Sequence, residues 1–273
     1  MNENCVPYRI VLPQAEKTGI LLSIPHCGIE FPKEIKDNYK TDLIQHPDDT
    51  DSYLEKLYDF ASSMGITVIQ AVYSRWVIDL NRTPENSSLY SDGRIITSLC
   101  PTTNFFGDKI YTDQSLEPTS SEVEIRLNKY YYPYHNKIDE ILVELKDEFK
   151  NVILWDAHSI RRKVETIQKE PFPDLILGNN DKKTASEKII KAALATLKDS
   201  SFEVYHNHPF KGGYITRSKG KPTKNIHSLQ LEMAKDLYMS NNETVYDSTK
   251  AQMIQKTLKQ ALTTLTNFTN ERV

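Results

Sequence analysis

Residues 151–159 read NVILWDAHS, with four apolar residues at 152–155 followed by Asp156, Ala157, His158 and Ser159. An apolar run this short, bounded by polar residues, has the length of a buried strand. Strands that end in a histidine are a habit of α/β enzymes, which set metal ligands and acid–base groups at the carboxyl edge of a parallel sheet. Residues 19–28 repeat the pattern: GILLSIPHCG carries Ile20–Ile24 into a turn holding Pro25, His26, Cys27 and Gly28. A third run, SRWVIDLNR at 74–82, reads as a strand over 76–80 that ends in polar groups.

Outward from these runs, helical and extended patterns alternate. DTDSYLEKLYDFASSMG (49–65) spaces Tyr53, Leu54, Leu57, Tyr58 and Ala61 as an amphipathic helix does. Thr50 or Asp51 is placed to cap it and Gly65 to end it. Further strands are expected at 66–72 and 202–205, and helices at 186–197 and 250–268. A long helix over 122–150 should be interrupted near Pro133, whose ring breaks the bond ladder. Residues 227–238 fit strand or helix equally. Residues 83–119 have loop composition, and a loop of that length is usually a lid or a substrate-side excursion. The alternation predicts an α/β fold: a single domain over 1–273 with a mainly parallel or mixed sheet and helices on both faces.

Composition narrows the function classes. Apolar residues make up 38% and charged residues 26%, ordinary values for a globular protein. A net charge of −3 gives nucleic-acid binding no electrostatic support. No apolar run approaches the ~18 residues of a membrane-spanning helix, and the first residues lack a signal-peptide layout. A cytoplasmic protein with neither nucleic-acid nor membrane partners is the expectation; its oligomeric state stays open. Cys5, Cys27 and Cys100 form no CxxC pair, which argues against a disulfide framework and a cysteine-based zinc site. Cys27 adjoins His26, yet a small residue in a tight turn explains it better than a catalytic thiolate.

His26 and His158 are the leading candidates for metal ligation, because both stand at strand ends among small and polar residues. Two imidazoles and a carboxylate suit a catalytic zinc, one per chain, with the fourth position left for water. The carboxylate should come from HPDDTD (46–51), where Asp48, Asp49 and Asp51 exceed what capping a helix requires. Asp156 is placed to fix an imidazole tautomer from the outer shell. Glu232, in LQLEM (229–233), is an acid in a locally apolar stretch, as a general base near a metal-activated water would be. Arg75, Asn81 and Arg82 share SRWVIDLNR, and arginine suits both a substrate carboxylate and a developing oxyanion. Arg126 and His135 in EIRLNKYYYPYH (124–135), Arg161 and Arg217 are further cations. Gly212 and Gly213 permit a close backbone approach or a flap, though a plain hairpin is the commoner use. Together these residues point to a zinc amidohydrolase for a small acidic amide.

Taken in order, SIPHCG, DTDSYLEKLYDFA, SRWVIDLNR, EIRLNKYYYPYH, WDAHSIR, FPDLILG, FKGGYITR and LQLEM resemble the N-formylglutamate amidohydrolase (N-formylglutamate deformylase) family, over roughly residues 20–240. The resemblance implies a zinc carboxypeptidase-like fold and cleavage of N-formyl-L-glutamate to formate and L-glutamate, a late step in one route of histidine degradation. It also implies His26, Asp51 and His158 as zinc ligands, Glu232 as general base and Arg75 as the carbonyl-polarising arginine. Asn81 and Arg82 become the carboxylate clamp, helped by one or more of Arg126, Arg161 and Arg217. Carboxypeptidase relatives take two ligands from His-x-x-Glu, whereas here His26 is followed by CGIE, so Glu30 rivals Asp51 as third ligand. Cys27 stands where serine is more usual. Two other readings compete: a zinc amidase for another N-acyl amino acid or a peptidoglycan-type amide, and a metal-free protein that binds dicarboxylates.

Overall fold

The computed structural model describes residues 6–87, 89 and 97–273. Its strands are β1 (Tyr8–Val11), β2 (Ile20–Ile24), β3 (Thr67–Ala71), β4 (Val152–Ile160), β5 (Leu175–Gly178), β6 (Val204–His206) and β7 (Ile226–Ala234). They form one sheet in the order β1-β3-β2-β4-β7-β5-β6. The centre, β3-β2-β4-β7, is parallel; β1 and β5 join it antiparallel, and β6 runs parallel to β5. The mixed sheet of the sequence reading is therefore observed.

β2 and β4 are buried along their whole length, as parallel strands covered on both faces must be. The cover comes from helices on either side. The helices are α1 (Lys33–Lys36), α2 (Thr41–Ile44), α3 (Leu54–Leu57), α4 (Ser120–Arg126), α5 (Tyr132–Glu148), α6 (Glu187–Lys198), α7 (Tyr214–Lys219) and α8 (Ser248–Thr266). On one face Leu54 of α3, Ile189 and Ile190 of α6 and Ile254 and Leu258 of α8 pack with Leu22, Ile153 and Trp155. On the other, Ile138, Ile141 and Leu145 of α5 and Ile215 of α7 pack with Leu21, Ile69 and Leu154. Each fully buried aliphatic side chain contributes about 1.5–3 kcal/mol. Period-2 alternation inside the sheet distributes them to both faces.

Several expectations need correction. Residues 74–82 form a succession of turns, with Val77 N–H on Ser74 O and Arg82 N–H on Asp79 O, and not a strand. Periodicity cannot separate a short buried turn from a buried strand, since Trp76, Val77 and Ile78 are buried either way. The helix expected over 49–65 is only the single turn α3 followed by a 3₁₀ segment, Asp59–Met64. Asp51 does not cap it. Its N–H bonds His26 O, and Tyr53 takes the left-handed conformation at φ 62°, so the first turn is given over to a loop. Residues 227–238 are resolved as strand β7 through Ala234. The long helix is interrupted as expected, by a π segment at Leu127–Tyr131 just before Pro133. The stretch 83–119, expected as a lid or substrate-side excursion, is loop where described apart from a short 3₁₀ segment at Gln114–Leu116, and its residues 88 and 90–96, like Cys5, lie outside the described residues.

Candidate active site

Parallel pairing brings the functional residues to one edge. β4 and β7 run in register, so His158 lies directly beside Glu232 and Asp156 beside Gln230. β2, paired with β4, delivers the chain to His26 in the turn just past Ile24. A Cβ on Gly28 would meet Tyr73 O at 2.2 Å, so only glycine lets this turn press against the 72–74 segment. That segment continues into the buried turns at 74–82. They are fixed from outside by α4 and α5: Arg126 donates to Val77 O at 3.0 Å and His135 Nε2 lies 2.8 Å from Leu80 O. Tyr131, on the π segment, stacks on His135 and donates its hydroxyl to Arg82 O at 2.7 Å. π segments often occur at functional sites for this reason, since they turn a residue out of helical phase.

His26, Asp51 and His158 converge. Their ring-nitrogen and carboxylate atoms lie within 4.8 Å of one another, and all three residues are buried. Asp51 Oδ2 is 3.2 Å from His158 Nδ1 and 3.7 Å from His26 Nδ1. Two atoms of these residues, His26 Nδ1 and Asp51 Oδ1, are buried without a hydrogen-bond partner. Buried polar atoms rarely stay unpaired, and a metal ion would complete both. The opposite ring nitrogens are held from behind. His26 Nε2 is 2.8 Å from Asp79 Oδ1, and His158 Nε2 is 3.3 Å from Asp156 Oδ2 and 2.9 Å from Asn81 Nδ2. Carboxylates behind imidazoles are the usual supports of histidine ligands. The donor set therefore fits a divalent metal.

Charge follows from burial and neighbours. Burial and the Arg75 guanidinium push the His26 pKa below its ordinary value, leaving a neutral imidazole. Burial opposes charge on His158, yet Asp156 and Asp51 outweigh it and hold the ring as imidazolium while no cation is bound. Burial also works against the Asp79 carboxylate, but Arg75 and His26 keep it far below the usual range. Glu232 is pushed up to about 8, chiefly by burial. Its carboxylate accepts from Gln230 Nε2 at 3.4 Å, while Gln230 Oε1 accepts from Gly213 N–H at 2.7 Å.

A cavity of about 110 Å³ opens over these groups, lined among others by His26, Asp51, Arg75, Arg82, His158 and Glu232. Arg75 reaches it through a bond to Asp79 Oδ2 at 2.6 Å, and Arg82 Nε lies 3.6 Å from the same oxygen. Asn81 also borders the cavity, but its side chain is engaged: Oδ1 accepts from Ile215 N–H at 2.8 Å, and Nδ2 lies 2.9 Å from His158 Nε2. The structure does not bring every candidate here. Arg126 is buried among Glu122, Tyr39 and Tyr111, and Arg161 pairs with Asp48 and Glu243. Arg217 bonds Gly212 O and Leu89 O, behind the wall formed by Gly213 and Leu89. His135 is no cation, since burial lowers its pKa to about 4. Of the rival acids, Glu30 pairs with Arg9 at the surface, and Asp49 binds Trp76 Nε1 and Phe105 N–H. Cys27 donates to Ile24 O and Ala71 O, and burial pushes its thiol far up, consistent with a turn residue.

The sequence pattern of N-formylglutamate amidohydrolase matches residues 18–239. The chain belongs to the N-formylglutamate amidohydrolase family. It is 34% identical over 255 residues to the N-formylglutamate deformylase of Pseudomonas putida, covering 93% of this chain and 94% of that protein. It is also 34% identical over 260 residues to that of Pseudomonas aeruginosa, covering 94% and 96%. The crystal structure of N-formylglutamate amidohydrolase from Ralstonia eutropha shares the fold, with a TM-score of 0.76, 24% identity and coverage of 97% and 98%. The chain is thus an amidohydrolase, an enzyme that cuts amide C–N bonds.

Within this member of the N-formylglutamate amidohydrolase family, sequence reading missed Asp79, Gln230 and Phe105. Asp79 had a signal: a lone acid inside the apolar run WVIDL, which burial makes costly unless it is paired. Gln230 and Phe105 carried none, because the partners that place them, Gly213 and Asp49, are distant in sequence.

Proposed function

We propose that this protein is a zinc-dependent deformylase that hydrolyses N-formyl-L-glutamate to formate and L-glutamate. One observation carries the reading: His26, Asp51 and His158 converge, with His26 Nδ1 and Asp51 Oδ1 buried and unpaired, in the lining of a cavity shared with Glu232 and Arg75. The substrate comes from the two Pseudomonas relatives, which carry that activity in their names. His26, Asp51 and His158 would hold the zinc, whose donor preference for imidazole and carboxylate they meet. Bound there, it would supply Lewis acidity toward the formyl oxygen and a nucleophilic water near neutral pH.

The remaining steps belong to the chain's own side chains. Glu232 takes a proton from the attacking water and returns it to the departing nitrogen, a role suited to a carboxyl whose pKa lies near neutrality. Arg75, held in place by Asp79, donates to the developing oxyanion. Arg82, on the cavity wall, takes a substrate carboxylate, the kind of anchor that orients a small molecule for attack. Asn81 acts through position, tying the turn at 79–82 to α7 and to His158. A role in histidine degradation goes with this reading and rests on the resemblance alone.

The test is formate release from N-formyl-L-glutamate before and after chelation. Release that chelation abolishes and zinc restores is the expected result. Undiminished release from protein stripped of metal would overturn the zinc assignment, and no release from zinc-loaded protein would overturn the substrate.

A further inference from the structure

The cavity has an apolar side, formed by Leu89, Phe105, Ile160, Ile167 and Phe210, that no polar step of the reaction uses. Phe105 touches the catalytic machinery: the Arg75 guanidinium carbon lies 4.7 Å from the centre of its ring. The segment bearing this ring is anchored through the main chain. Phe105 N–H donates to Asp49 Oδ1 at 2.9 Å, and Phe105 O accepts from the Thr166 hydroxyl. Asp49 is itself fixed, with Oδ2 accepting from Trp76 Nε1 at 2.8 Å, and its carbonyl faces Arg75 Nη1 at 3.4 Å. One acid thus ties the ligand-bearing loop, the arginine turn and the aromatic ring into a single rigid corner. Phe105, Ile160, Ile167 and Phe210 also share an apolar cluster with Val164 and Phe172, which supports the ring from outside.

We propose that the Phe105 ring closes the acyl side of the cavity and sets a preference for formyl over larger acyl groups. The proposal rests on the functional reading above, in which Arg75 meets the acyl oxygen. A carbonyl bonded to that guanidinium brings the third substituent of its carbon up to the ring stacked on the arginine. In a formyl group that substituent is hydrogen, and in an acetyl group it is methyl. A ring whose main chain is anchored on both sides and which packs on the Val164–Phe172 cluster resists the methyl, and overpacking such a site is costly. One carbon at such a wall changes kcat/KM by roughly 10–200-fold.

The experiment compares kcat/KM for N-formyl-L-glutamate and N-acetyl-L-glutamate in the full-length, zinc-loaded wild type, Phe105→Ala and Phe105→Leu. Both anchoring bonds of Phe105 are main-chain bonds, so the substitutions leave them in place. Phe105→Ala also removes the stacking on Arg75 and should slow both substrates, which is why the ratio is the readout. The acetyl-to-formyl ratio is expected to be below ~0.1 in the wild type and to rise at least ~10-fold in Phe105→Ala. Phe105→Leu keeps an apolar side chain on the loop and should raise the ratio by a smaller step. It decides the matter if the alanine variant does not fold. A wild-type ratio near one, or a ratio unchanged in whichever variant folds, overturns the proposal while formate release upholds the functional reading. No formate from the wild type overturns both.

Discussion

At the scale of single residues, Glu232 shows how position sets chemistry. Glutamate in water ionises near its ordinary value, and burial beside His26, Asp51 and His158 moves this one to about 8. Desolvation is the largest cause, His158 and Arg75 oppose it, and Asp51 adds to it. Substituting Glu232→Gln keeps the shape and removes the proton carrier. We expect turnover of N-formyl-L-glutamate to fall at least ~100-fold, with zinc content measured by metal analysis unchanged. Near-full turnover would assign the base elsewhere. The sequence made Glu232 visible as an acid among apolar residues. It could not reveal Gln230, whose amide is oriented by Gly213 N–H, because that partner lies on another element.

At the scale of elements, the turn segment 74–82 and the start of α7 form one unit with the ends of β2 and β4. Asn81 O accepts from Tyr214 N–H and Asn81 Oδ1 from Ile215 N–H, so the turn satisfies the first donors of α7, which no helix can satisfy internally. Gly213 makes the contact feasible, since a Cβ there would stand 2.3 Å from Asn81 Nδ2. Gly213→Ala is therefore expected to cost about 1–3 kcal/mol of stability, read as a lowered Tm, and to reduce turnover by displacing Asn81 from His158. An unchanged Tm would mean that the turn relaxes without loss. The apolar pattern of 74–82 suggested a strand, and the segment earned its buried side chains from a different geometry. Its polar residues still reach the cavity, because turns can aim successive side chains to one side while strands alternate them.

Across the whole molecule, burial of the Glu232 carboxyl makes stability depend on pH. The folded-state pKa of Glu232, about 8, exceeds its ordinary value of 4.5. Between those values the folded chain keeps a proton that the unfolded chain has released, so this group's contribution to stability declines as pH rises through that window. In chelated protein, Glu232→Gln should remove that slope. Its Tm advantage over the wild type should grow between pH 5 and pH 8 by at least ~2–4 °C, the shift that about 1 kcal/mol produces in a domain of this size. Parallel melting curves would check this, and a pH-independent difference would contradict it. The molecule also shows where sequence information ends. The strands β2 and β4, the π-interrupted helix, the two histidines and Glu232 were legible from the chain, because apolar runs, proline and isolated polar groups leave local signatures. The resemblance already pointed to Asp51, but the gathering of Asp51 with His26 and His158, the placement of Arg126 and Arg161 away from the cavity lining, and the support of His26 by Asp79 appear only in the tertiary structure. Each depends on which groups the β2-β4-β7 register brings within a few ångströms, and pairing across the sheet leaves no mark in local sequence.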